Sequence, residues 1–143
     1  MNTVLTAGAL GAISGSRSML APALLARAFH SSTATPVLAL LAAGEMMADK
    51  LPALPARTEP MPLAGRLMSG ALVGAAICSG RRRVACTLAG AAGAVAASFA
   101  LTQLRVLATR QRIPNAAAGF VEDALAIGAG LLLLKTQRRA IRR

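Results

Sequence analysis

The chain has 143 residues, of which 55% are hydrophobic and 15% charged, and its formal net charge is +11. Soluble domains carry about 25% charged residues, so this composition disfavours a water-soluble protein and favours a single all-α membrane domain, residues 1–143. The positive charge does not indicate a nucleic-acid partner, because the basic residues lie at the ends of apolar runs and the chain has no Trp or Tyr for base stacking.

Five apolar runs predict a polytopic integral membrane helical bundle with four to five transmembrane or re-entrant helices. About 20 helical residues cross the hydrocarbon core, and the fourth run has no charged residue over 21 positions. In chain order, the runs are Thr3–Phe29, Pro36–Gly44, Met61–Gly80, Val84–Leu104 and Ala116–Leu134.

The second run is too short to be an ordinary span. From Pro36 to Lys50 a helix would extend only about 22 Å, against about 30 Å of hydrocarbon. Pro52 and Pro55 end it, because proline lacks the N–H group. The segment therefore either crosses a locally thin region or enters the bilayer and returns.

Basic residues predict the orientation. Positive charge is densest at Arg81–Arg83 and in the tail 135–143, so the positive-inside rule places both on the cytoplasmic side of a bacterial inner membrane. With five spans the N-terminus is outside, and with a re-entrant second segment it is inside. We also expect the basic loop and tail to contact anionic lipid headgroups.

A spacing pattern suggests an inverted repeat of residues 3–50 and 84–135 around the helix 61–80. Two sets of three residues share a spacing of nine positions at an offset of 78, although coincidence would explain so few matches. Many transporters are built from inverted repeats. The two sets are Arg27, Pro36 and Glu45, and Arg105, Pro114 and Asp123.

Arg17 lies in the middle of the first apolar run. A central Arg costs about 2.5–3.5 kcal/mol in insertion measurements, so it must pair, snorkel or line water. It can bind an anion or neutralise an acid as part of a function, or it can form a structural salt bridge.

Two acids and a lysine end the second run. Glu45 and Asp49 are four positions apart and share a helix face, where their mutual repulsion suits binding of a proton or cation. Lys50 or Arg17 can instead neutralise them. Because Lys50 marks the end of the helix, Asp49 is expected at the interface and Glu45 about one turn deeper.

A second acidic pair lies in the last run. At least one of the adjacent residues Glu122 and Asp123 should face the bundle interior. Asn115 can cap the start of this helix. Arg105 can reach Glu122 across a short loop, or it can be an ordinary interfacial anchor.

Small residues at helical spacing predict close helix contacts, within one chain or between chains, and we expect a homo-oligomer. Cys78 and Cys86 form no metal motif and are expected to be small buried thiols kept reduced. No Ser-His-Asp set or phosphate loop is recognisable, so we expect no enzyme, cofactor or metal site. The glycines of the predicted contacts are Gly11, Gly15, Gly70, Gly74 and Gly90.

Four short motifs resemble a family of small integral membrane proteins catalogued as domain of unknown function family 4126. The resemblance covers most of the chain and implies a multi-spanning membrane protein, without an established activity. Its most distinctive element is acid-x3-Asp-Lys-x-Pro. The motifs are GSR (15–17), GEMMADKLP (44–52), GRLMSGAL (65–72) and RIPNAAAGFVEDALA (112–126).

Two functional hypotheses follow from these residues. In the first, the chain is a transporter or channel for an ion or small solute, in which Glu45 and Asp123 bind a proton or cation and Arg17 sets their charge balance. In the second, it is a non-transporting structural, assembly or lipid-binding protein whose charges form structural pairs. A hydrated cavity that touches Arg17, Glu45 and Asp123 would favour the first, and a dry, paired cluster the second.

Overall fold

The computed structural model describes residues 2–29, 31–48 and 58–141, and within these ranges the chain is all α-helical, as predicted. A short 3₁₀ turn at Gly80–Arg82 joins the fourth and fifth α-helices. The helices are α1 (Thr3–Ser16), α2 (Leu20–Ala28), α3 (Ala34–Ala48), α4 (Pro60–Ile77), α5 (Arg83–Arg110) and α6 (Asn115–Ile141).

Three helices, α1, α4 and α5, form the tightly packed centre of the bundle, and glycines make their close approach possible. A Cβ atom at Gly11 would overlap the backbone of Gly90, and one at Gly70 would overlap the same stretch of α5 from the other side. Gly15 and Gly74 likewise lie against the α5 backbone. All five glycines expected at helix contacts therefore lie where two helices meet.

The first apolar run is not one span, which corrects the sequence interpretation. The helix α1 ends at Ser16, and Arg17 takes an extended conformation (φ −145°, ψ 111°) before α2 begins at Leu20. Both Ile13 of α1 and Leu24 of α2 pack at Gly130 of α6. The chain thus reverses at residues 17–19, and α1 and α2 form a helical hairpin, here called the α1–α2 hairpin.

The contacts along α6 establish this reversal. Arg17 meets Asp123, and Leu24 meets Gly130, so α2 runs in the same direction as α6. Ile13 precedes Arg17 but also lies at Gly130, so α1 runs in the opposite direction. A chain reversal of the kind that the short second run suggested therefore lies within the first run.

The helix directions do not show an inverted repeat of residues 3–50 and 84–135. Gly8, Gly11 and Gly15 of α1 lie against residues 89, 90 and 94 of α5 in that order, so the two helices are parallel. For α1 and α5 an inverted relation would require opposite directions, whereas the matched residues Arg27 and Glu45 lie in α2 and α3, which run opposite to α5 and α6 respectively. The directions of α2 and α3 are compatible with the repeat and that of α1 is not, so the repeat stays a prediction.

In the part of the chain that the structure describes, two helical segments are long and apolar enough to cross a membrane, Gly80–Arg110 and Ala116–Lys135. Shorter apolar helices cover Thr3–Ser16 and Ala34–Met47. Many large apolar side chains face outward, such as Leu40, which is 75% exposed, and a lipid environment would cover such side chains.

Cys78 and Cys86 form a disulfide, which corrects the expectation of two reduced thiols. Cys78 follows α4 and Cys86 lies in the first turn of α5, with their Cα atoms 6.3 Å apart. The tight connection, in which Gly80 has a φ of +62°, brings these two helix ends together. Cys86 is fully buried, as predicted for a small apolar residue.

Candidate functional site

Arg17 and Asp123 form a buried ion pair at the tip of the α1–α2 hairpin. The Nε and Nη2 atoms of Arg17 lie 2.8 and 2.6 Å from Oδ1 of Asp123, and Nη1 donates to the Ser16 carbonyl at 3.2 Å. Arg17 has no exposed surface and Asp123 is 7% exposed. The pair connects the hairpin to α6 and is almost wholly shielded from the outside of the protein.

Glu45 binds the same tip from α3. Its Oε1 accepts hydrogen bonds from the backbone N–H and the hydroxyl of Ser18 at 2.8 and 2.7 Å, and its Oε2 accepts one from the N–H of Met19 at 3.0 Å. These two amides precede α2, whose first N–H groups have no partner within the helix. A carboxylate here also interacts favourably with the positive end of the α2 dipole.

Arg66 of α4 completes what we call the central charge cluster, which consists of Arg17, Glu45, Arg66 and Asp123. Nη2 of Arg66 lies 3.7 Å from Oε1 of Glu45, and Arg66 is 6% exposed. The cluster holds two cations and two anions, so it is formally neutral. Neutrality and mutual pairing are what charged groups require in the middle of a bilayer.

Serine hydroxyls surround the cluster and join its helices. Ser69 of α4 donates to the Ser18 carbonyl and lies 3.2 Å from the hydroxyl of Ser14. Ser98 of α5 donates to the Gly15 carbonyl at 3.1 Å. The hairpin tip is therefore bound by α3, α4, α5 and α6 at once.

Arg105 and Glu122 form a second ion pair, apart from the central charge cluster. Nη2 of Arg105 is 3.2 Å from Oε2 of Glu122, and the two side chains are 21% and 11% exposed. The sequence suggested this pairing across the short connection between α5 and α6. Because both groups are partly exposed, the pair is less shielded than Arg17–Asp123.

The Arg105–Glu122 pair borders a lateral groove of about 670 Å³ between α1, α5 and α6. Its wall is almost wholly apolar. Arg17, Glu45 and Asp123 do not line this groove. Representative lining residues are Ile13, Leu101, Leu104, Ala118, Val121 and Leu125.

Several predicted site residues are brought together and others cannot be placed. Arg17, Glu45 and Asp123 meet at the hairpin tip, whereas Asp49 and Lys50 lie outside the described residues, as does the side chain of Asn115. Sequence reasoning missed Arg66 as a partner of Glu45. The sequence feature that could have identified Arg66 is the same as for Arg17, namely a cation inside an otherwise apolar run.

The chemistry available to the cluster is ion pairing and hydrogen bonding. Among residues 2–29, 31–48 and 58–141, no group of three or more His, Cys, Asp or Glu side chains could hold a metal ion. Each acid of the cluster has a cation within 4 Å, and Glu45 also accepts backbone hydrogen bonds.

The chain was compared with protein-family models, curated proteins and solved structures, and none of them matches. The resemblance to domain of unknown function family 4126 therefore stays a prediction that rests on the four motifs quoted above.

Proposed function

We propose that this chain is a membrane protein that crosses the bilayer with α3, α4, α5 and α6, while the α1–α2 hairpin enters only to mid-depth. The reversal at residues 17–19 supports this for the hairpin, because α1 and α2 both pack at Gly130 of α6. The helix α3 rises only about 22 Å and crosses where the roughly 30 Å core is locally thin. In this arrangement the N-terminus, Arg81–Arg83 and the basic tail share one side. The positive-inside rule makes that side cytoplasmic, although the disulfide that flanks Arg81–Arg83 is more usual in an oxidising compartment.

We further propose that the protein does not transport a solute and that its intramembrane charges are structural. One observation carries this: the central charge cluster is paired and formally neutral, three of its four side chains are buried, and the lateral groove does not reach Arg17, Glu45 or Asp123. A transport site needs a path for its substrate, whereas a structural cluster needs none. The cluster fixes a hairpin tip that could not otherwise remain in hydrocarbon.

In this proposal the protein works through lipid contact at its basic end. Arg27 and Lys135 line one small cavity together, and Arg81–Arg83 are exposed in the connection between α4 and α5. Each cation near an anionic leaflet contributes about 1 kcal/mol of attraction. Together they favour anionic headgroups on the cytoplasmic side.

A flux measurement tests the non-transport part. Purified protein is reconstituted into liposomes that contain dyes for protons, potassium and chloride, with protein-free liposomes as the baseline. We expect wild type, Glu45→Gln and the double variant Arg17→Met/Asp123→Leu to give the baseline rate. A flux that wild type supports and either variant abolishes would establish transport instead.

Transport by the cluster is the second candidate, and the hairpin tip favours it. Broken helices with free backbone groups at mid-depth form the central site of many transporters, and residues 17–19 provide such a break. There Glu45 would leave the Ser18 and Met19 amides to admit an anion. The flux assay separates the candidates, because this mechanism requires chloride or another anion to move.

A further inference from the structure

The lateral groove has properties that the proposed structural role leaves unused. Its wall includes large apolar side chains that remain open to the surroundings, among them Leu104, Val121 and Leu125, which are 58%, 60% and 68% exposed. Small residues of α1 form part of the same wall, namely Ala9 and Ala12. An apolar occupant would remove this surface from contact with anything polar.

Cations mark one end of the groove. Arg105 lines it beside Glu122, which is the only acid in its lining within the described residues. Two exposed cations lie close along the chain to Ile113 of the same lining, namely Arg110 at the end of α5 and Arg112 in the connection that follows. This end therefore has more cations than acids. Such a balance suits a negatively charged group, and Arg binds phosphate through two parallel hydrogen bonds.

The dimensions of the groove match one lipid chain. On α5 its lining extends from Ala97 to Ala108, about 16 Å along the helix, and on α6 from Ala117 to Leu133, about 24 Å. These lengths lie between one leaflet and most of the roughly 30 Å hydrocarbon core, and either accommodates an acyl chain. The cationic end lies near the end of α5, which is the level expected for headgroups.

We propose that the lateral groove is a binding site for one anionic phospholipid, with an acyl chain between α5 and α6 and the phosphate at Arg105. The phosphate competes with Glu122 for the Arg105 guanidinium, so Arg105 has an anionic partner in both states. The site lies at the opposite end of the bundle from Arg81–Arg83. It therefore goes beyond the basic-end lipid contact and does not depend on it.

Native mass spectrometry of the full chain, released from detergent, tests the site with phosphatidylglycerol and phosphatidylcholine as probes. Every protein tested carries Arg81→Gln, Arg82→Gln and Arg83→Gln, which removes the positive charge from the connection at the other end of the bundle. We expect one phosphatidylglycerol to bind about tenfold more tightly than phosphatidylcholine, as one added charge-assisted contact implies.

Variants separate the apolar and the charged parts of the site. Ala118→Leu narrows the groove and should weaken binding of both lipids about tenfold, whereas Ala124→Leu, an exposed site on the same helix outside the groove, should not. Arg105→Gln should remove the preference for phosphatidylglycerol, and Arg105→Lys should retain part of it. Glu122→Gln should tighten phosphatidylglycerol binding several-fold, because it removes the competitor.

Three results would overturn the proposal. The first is unchanged phosphatidylglycerol binding in both Ala118→Leu and Arg105→Gln, provided both retain the wild-type circular dichroism spectrum. The second is weaker binding in Glu122→Gln, which would make Arg105–Glu122 a purely structural pair. The third is a lipid-free dimer that Ala118→Leu converts to a monomer, because a second copy would then occupy the groove.

Discussion

Removal of the Asp123 carboxylate is expected to destabilise the protein more than any other single isosteric change. Asp123→Asn keeps the shape of the side chain but leaves the Arg17 charge without its anion, in a position where Arg17 has no exposed surface. Both Arg17 contacts to Asp123, at 2.6 and 2.8 Å, change from charge-assisted to ordinary hydrogen bonds at best.

The expected magnitude follows from two independent figures. An Arg placed alone at the bilayer centre costs about 2.5–3.5 kcal/mol, and removal of one partner from a buried pair costs about 3–5 kcal/mol. We therefore expect Asp123→Asn to lower the free energy of unfolding by about 3 kcal/mol. The double variant Arg17→Met/Asp123→Leu should lie within about 1 kcal/mol of wild type, because a buried pair and an apolar pair are often equally stable.

Unfolding by sodium dodecyl sulfate in mixed micelles, followed by circular dichroism, measures these free energies. Glu122→Gln is the matched control, because its partner Arg105 is 21% exposed and the loss should stay near or below about 1 kcal/mol. A loss below about 1 kcal/mol in Asp123→Asn, or a double variant as unstable as Arg17→Met alone, would refute the reasoning.

Three further predictions use the same unfolding assay. Gly11→Val should lower the free energy of unfolding by about 2–3 kcal/mol, because its side chain would overlap the Gly90 backbone. The control Gly128→Ala, with no atom within 4 Å of its added Cβ, should leave that free energy unchanged. Equal losses in the two variants would argue against the α1–α5 contact. Glu45→Ala should lower the free energy of unfolding by about 3 kcal/mol, because the Ser18 and Met19 amides lose their acceptor, and Glu45→Gln should lower it by about half of that. An unchanged stability of Glu45→Ala would disprove the role of Glu45 at the hairpin tip. Cys78→Ser should cost at most about 2–3 kcal/mol, since the closed loop is short and glycine contacts also join α4 to α5; global unfolding by a reducing agent would contradict this.

The sequence predicts the helices and the presence of buried charge, but not the reversal of the chain. Apolar runs, Pro36 and Pro60 locate α3 and α4 well, because proline is accepted in the first turn of a helix. Hydropathy cannot distinguish one long span from two short helices with a break between them. The break at Arg17 depends on Asp123, which is 106 residues away, and on Glu45, which is 27 residues from Ser18.

The partners of the buried charges were also only partly predictable. The pairing of Arg105 with Glu122 follows from a short connection between antiparallel helices, so local reasoning was sufficient. The pairing of Arg66 with Glu45 depends on how α3 and α4 both lie against α2, and residues 49–57 between the described parts of the chain carry no periodic signal for it. The disulfide was missed because loop charge alone indicated a reducing compartment.

Cysteine labelling of the two ends of the hairpin tests the central claim most directly. In a Cys78→Ser/Cys86→Ser background, single cysteines replace Asn2, Ser32 and Ser79, and inverted and right-side-out vesicles are treated with a membrane-impermeant maleimide. If the chain reverses at mid-depth around the central charge cluster, all three positions react from the same side. If Asn2 and Ser32 react from opposite sides, the first apolar run crosses the membrane as one helix and the account is contradicted.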